Sequence, residues 1–85
     1  MDKKPILKHP RNYSAKELEA LMFFPLRFHI GEINSDEVIK HIDGQIVQVI
    51  LASNHPHLPA VVVIKTANNS KARYCIFKLK SFSHI

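Results

Sequence analysis

Three β-branched, apolar runs fill the second half of the chain: residues 45–52 (QIVQVILA), 60–66 (AVVVIKT) and 73–80 (RYCIFKLK). Such runs, bounded by turn residues, read as strands. The first two are separated by SNHPHLP, residues 53–59, which reads as a seven-residue loop with two prolines. The second and third are separated by ANNSKA. Its Asn68 and Asn69 tolerate the left-handed conformation of a tight hairpin. Two hairpins in series make a C-terminal three-stranded antiparallel meander.

The first half supplies a further strand and two short helices. Ser14 followed by Glu17 is a capping box, and Leu18, Leu21 and Met22 form one stripe. The spacing predicts a helix over roughly 15–23, ended before Pro25. Leu26-Arg27-Phe28-His29-Ile30 alternates, with Leu26, Phe28 and Ile30 inward. Ser35 with Asp36 and Glu37 reads as the start of a second helix, its face made by Val38, Ile39 and Ile42 and its end by Gly44. The expected order is α-β-α-β-β-β: an α+β domain with two short helices on a four-stranded, mainly antiparallel sheet. Residues 1–13 read as a flexible basic arm and residues 14–85 as a single compact domain, in keeping with 85 residues in all.

Both faces of the first two meander strands are apolar, whereas a sheet with one wet face alternates more cleanly. Two short helices cover one face, so the other is expected to be an interaction surface, through which a homodimer or a partner protein would dock. Alternatively the sheet curls into a small barrel and buries its own second face. In layout alone, a short N-terminal helix before a bent meander, with the rhythm of residues 60–85, resembles the Sm-like RNA-binding folds. No family motif carries that resemblance, and it leaves no place for a helix at 35–42.

Charge bears most directly on function. Residues 1–43 balance seven bases against seven acids, whereas residues 44–85 hold Lys65, Lys71, Arg73, Lys78 and Lys80 and no Asp or Glu. The whole net charge of +5 lies there. Cations without interspersed carboxylates attract anions, and nucleic-acid phosphate is the commonest such partner. Lys65, Lys71, Arg73, Tyr74, Lys78 and Lys80 are therefore the candidate nucleic-acid-binding residues, with Tyr74, Lys78 and Lys80 on one face of the last strand. Lys3, Lys4, Lys8 and Arg11 of the arm would track phosphate. An acidic protein surface would use the same charge, and a small protein of this kind could instead occlude a larger partner.

Other chemistries find less support. One Cys excludes a disulfide framework and a Cys-based zinc finger within a single chain. His55 and His57 have a metal-ligand spacing but lack a third ligand nearby, so no metal and no cofactor is expected. A metal-independent ribonuclease would draw on His55, His57, Arg73, Tyr74 and Lys78, yet Arg73 and Tyr74 point to opposite faces, so catalysis is not expected. No apolar run is long enough for a membrane span and no signal peptide is visible, which predicts a cytoplasmic location.

Overall fold

The computed structural model describes residues 5–85. It is an α+β fold with one short helix, α1 (Ala15–Ala20), and one five-stranded antiparallel sheet. The strands are β1 (Leu26–Ile30), β2 (Lys40–Ala52), β3 (His55–Thr66), β4 (Lys71–Cys75) and β5 (Leu79–His84), in the spatial order β4-β3-β2-β1-β5. The capping box is present: Ser14 Oγ accepts from the Glu17 N–H, and the Glu17 carboxylate accepts from the Ser14 N–H.

Three elements differ from expectation. The second helix does not form. Residues 31–39 are a loop tied by the Ile39 N–H to the Ile30 carbonyl, and β2 begins at Lys40. Ser35 accepts a local bond from the Glu37 N–H instead of capping a helix. Val38, Ile39 and Ile42 are β-branched, and the strand beside β1 outcompetes an eight-residue helix that has no packing partner. Gly44 lies mid-strand, where an added Cβ would overlap the carbonyl oxygen of Lys65 on β3. Its role is close backbone approach, not a helix cap.

The loop at 53–59 is also shorter than expected. The chain turns at Ser53–Asn54, and β3 runs back from His55 with Pro59 buried opposite Leu51 at a register shift. Prolines in strands sit at such irregularities. Finally, the last expected strand breaks in two. After Cys75 a 3-10 turn, Ile76–Lys78, carries the chain to the opposite edge of the sheet, where β5 pairs with β1.

That crossover forces the sheet to curl. Five flat strands would hold their outer two roughly 19 Å apart, at about 4.8 Å per gap. The link from Cys75 to Leu79 is four residue steps, which reach at most about 14 Å and far less in a 3-10 turn. The inner face therefore closes on itself. Leu26, Phe28 and Ile30 of β1, Ile46, Val62 and Ile64 of β2 and β3, and Leu79 and Phe82 of β5 form one core, sealed by Leu18 and Leu21. Phe28 and Phe82 meet edge to face at 5.4 Å.

A bulge at Val47 resolves the doubly apolar strand. Ile46 pairs with Ile64 but Gln48 with Val63, so the alternation slips and both Ile46 and Val49 turn inward. On the outer face Val61 and Ile50 are half-buried, and Val63 is buried between Gln48 and Arg73, its cross-strand neighbours. The expected continuous apolar flank is interrupted there by the exposed Gln48 and Arg73, with Leu51 exposed nearer the end of β2.

Residues 1–4 of the expected arm lie outside the described residues. From Pro5 onward the segment packs on the sheet. Pro10 and Tyr13 are buried, Leu7 rests on the core, and the Pro5 carbonyl lies 2.8 Å from His84 Nε2. No helix among the described residues is long and apolar enough to cross a membrane.

Candidate nucleic-acid interface

Residues directly opposite on antiparallel strands share a face. Lys65 of β3 is paired with Lys71 of β4, and Val63 with Arg73. Val62 and Ile64 are core, so Lys65, Lys71 and Arg73 lie together on the outer face of the β3–β4 hairpin. The structure thus unites three of the six candidates. Two like charges directly opposite are destabilising in a sheet. Among the described residues neither lysine nor Arg73 forms an ion pair; the two bridges there are Lys8–Glu17 and Arg27–Asp43.

The other three candidates are elsewhere. Tyr74 faces inward, packed on the core, with Lys40 Nζ 5.8 Å from its ring centroid. Lys78 sits on the 3-10 turn beyond the far end of β4, roughly 14 Å of strand from the Lys65–Lys71 pair. Lys80 is only 8% exposed, and its ammonium donates to the Phe77 carbonyl at 3.0 Å. The reason is a bulge: His29 pairs with Ser81 but Ile30 with Leu79, so Lys80 is the extra residue and leaves the alternation. The expectation that Tyr74, Lys78 and Lys80 share one strand face fails because no single strand contains them. Of the arm's cations, Lys8 bonds Glu17 at 2.6 Å and Arg11 lies over the Phe77 ring at 5.5 Å.

The outer face continues across β1 and β2 with paired groups. Arg27 Nε and Nη2 donate to the two oxygens of Asp43, at 2.8 and 3.1 Å. Hydrogen bonding from Arg27, with the positive fields of Arg27, His41 and His29 behind it, holds the Asp43 carboxyl below the ordinary value. His29 faces His41, with ring centroids 6.1 Å apart, and its Nε2 is 2.9 Å from Ser83 Oγ.

Between the paired and unpaired charges lies a cleft of about 320 Å³. Asp43, Gly44 and Gln45 of β2 line it together with Pro25, Ile85, Lys65 and Asn69. Phe23, whose N–H donates to the Ile46 carbonyl next to Gln45, adopts a left-handed conformation (φ 70°) and is 63% exposed, followed by Phe24 at 40%. The sequence reading singled out neither ring, although Phe-Phe-Pro directly after a helix marks aromatics the helix face cannot bury.

His55 and His57 stand apart from the Lys65, Lys71 and Arg73 group. His55 and His57 are exposed at the start of β3, whereas Val63, opposite Arg73, is roughly 20–25 Å further along that strand. Among the described residues no three His, Cys, Asp or Glu side chains form a group that could hold a metal ion. No family model, curated protein or solved structure matches the chain.

Proposed function

We propose that this protein is a non-catalytic binding module that takes nucleic acid on the outer face of the β3–β4 hairpin. Lys65, Lys71 and Arg73 contact the phosphates. The observation that carries this reading is the directly opposed Lys65–Lys71 pair with Arg73 on the same face, in a half of the chain without a single Asp or Glu. A sheet built for stability alone would alternate charge there. Binding a polyanion offsets the repulsion and releases counterions.

The test is fluorescence anisotropy with labelled oligonucleotides across a salt series. Three phosphate contacts to a single strand give a log–log salt slope of about −2, and so a loss of roughly 20-fold between 50 and 200 mM salt. The K65E/K71E/R73E variant should lose binding. No binding to any oligonucleotide at low salt, or an unaffected triple variant, would falsify the assignment.

One observation favours a second reading, occlusion of a partner protein. A mainly apolar cleft of about 190 Å³ lies between Pro10, Tyr13, Pro59 and Ile76, with Leu58 and Phe77 exposed and Arg11, stacked over Phe77, also in its lining. A partner held there binds with little salt dependence and ignores the triple variant.

A further inference from the structure

A bulky side chain in the left-handed region clashes with its own backbone, and proteins keep such residues where the surrounding structure over-determines them. Phe23 is held this way: its N–H donates to the Ile46 carbonyl at 3.0 Å, so the chain leaving α1 is pinned along β2. Burial of the ring does not compensate the strain, since Phe23 is 63% exposed. The left-handed turn at Phe23 carries the chain from α1 towards β1, with the Phe24 N–H on the Leu21 carbonyl, and it leaves the aromatic ring in water.

The neighbourhood gives the ring a use. Ile46 adjoins Gln45, on the floor of the 320 Å³ cleft, and Phe23 is two residues from Pro25, in its wall. Lys65 lines the same cleft and belongs to the basic hairpin face. Gly44 lets β2 and β3 approach closely where the cleft opens, because a Cβ there would overlap the Lys65 carbonyl. The cleft is of a size that small planar ligands occupy. It places Pro25 and Ile85, two carboxamides (Gln45 and Asn69), the Asp43 carboxylate held by Arg27 and a cation in one concavity, and the backbone of Phe23 is bonded to Ile46, next to Gln45.

We infer that this cleft receives an unstacked base and that the nucleic acid bound is single-stranded. Phe23 is the stacking platform, the Gln45 and Asn69 amides meet the base edge, and Lys65 leads the backbone onto Lys71 and Arg73. A duplex keeps its bases stacked on one another and offers the ring nothing; a single strand offers every π-face. The inference rests on the reading of the basic face and deepens it.

The experiment measures affinity of the full chain for a short single-stranded RNA, the DNA of the same sequence, and the matching duplex, all at about 50 mM salt. Loss of one stacking platform weakens single-strand binding roughly 5- to 150-fold in Phe23→Ala and leaves duplex binding unchanged. Phe23→Gly should lose the same affinity while melting no lower than the parent, since glycine accepts φ 70° without strain. That pairing separates loss of the ring from loss of the fold. If both variants bind single strands as the parent does, or if the parent prefers the duplex, the inference is overturned. The basic-face reading then survives provided K65E/K71E/R73E still abolishes binding. Absence of any oligonucleotide binding overturns both. Equal affinity for RNA and DNA supports recognition through the base alone, and a preference for RNA supports it with a 2′-hydroxyl contact added.

Discussion

Two cross-strand pairs on the same outer face make an instructive contrast. Across β1 and β2, Arg27 faces Asp43 and the guanidinium grips both carboxylate oxygens. Across β3 and β4, Lys65 faces Lys71. Sheet geometry is the same in both places: directly opposed residues a few ångströms apart on a solvated surface. The first pair is what folding alone selects. The second opposes folding by a small amount, and stability offers no reason for it. The difference separates a surface whose charges hold the sheet together from one whose cations have no carboxylate partner among the described residues.

Gly44 stands between the two pairs, opposite Leu26 on one side and Thr66 on the other. The change with the largest expected effect is therefore Gly44→Val. Its side chain would drive β2 from the Lys65 carbonyl and disturb both registers, at about 1–3 kcal/mol as an overpacked strand contact. Chemical denaturation checks it. An unchanged midpoint would mean that the close approach of β2 and β3 is not what fixes the pairs.

Lys71→Glu sharpens the contrast, because its two effects have opposite signs. It converts the β3–β4 pair into the type seen across β1 and β2, and should raise stability by a few tenths of a kcal/mol. The same change places a carboxylate on the phosphate path and should cut oligonucleotide affinity by roughly tenfold or more. Asp43→Asn is its mirror. It removes the partner of Arg27 and should lower the melting temperature slightly. It also takes a negative charge out of the cleft beside Lys65 and should strengthen anion binding. If stability and affinity move together in both variants, the division of the face into structural and binding halves is wrong.

The contrast itself was only half legible in the sequence. Charge segregation at Gly44 is a matter of composition, and it pointed to Lys65, Lys71, Arg73, Lys78 and Lys80 alike; strand pairing alone sets the first three together. β1 and its inward set, the capping box at Ser14, and the turn at Asn68–Asn69 were legible because their determinants lie within a few residues of one another. What failed was everything fixed by distant partners. Ile42 fits a helical period and a strand equally well, and pairing with Phe28 of β1 decided, while Val38 and Ile39 stay in the loop that leads into β2. Ile76, Phe77 and Leu79 continued an alternation that local chemistry did not interrupt. The crossing from β4 to the opposite edge of the sheet placed a 3-10 turn there, and the bulge at Lys80 then buried a cation read as exposed. The bulge at Val47 likewise moved Gln48 and Ile50 off the face of Ile46, which no period-2 count detects.

The smallest effect is the one that acid reveals. The paired cations owe their partners to carboxylates, so protonation removes that support, whereas Lys65 and Lys71 repel each other at any acidic pH. Glu17 titrates at about 2 instead of its ordinary 4.5, chiefly because the Lys8 ammonium hydrogen-bonds it, with the Ser14 N–H adding to this. Asp43 is lowered from 3.8 by Arg27. Both folded-state values are depressed, so the stability each contributes is present above its ordinary value and is lost as pH falls: for Glu17 between about 4.5 and 2, for Asp43 from 3.8 downward. The melting temperature of the parent should therefore drop more steeply between pH 5 and 2 than that of Glu17→Gln/Asp43→Asn, which starts lower at pH 5 and converges with the parent in acid. Parallel curves would show that these two bridges contribute nothing. The paired and unpaired halves of the outer face would then differ in their charge but not in what that charge does for the fold.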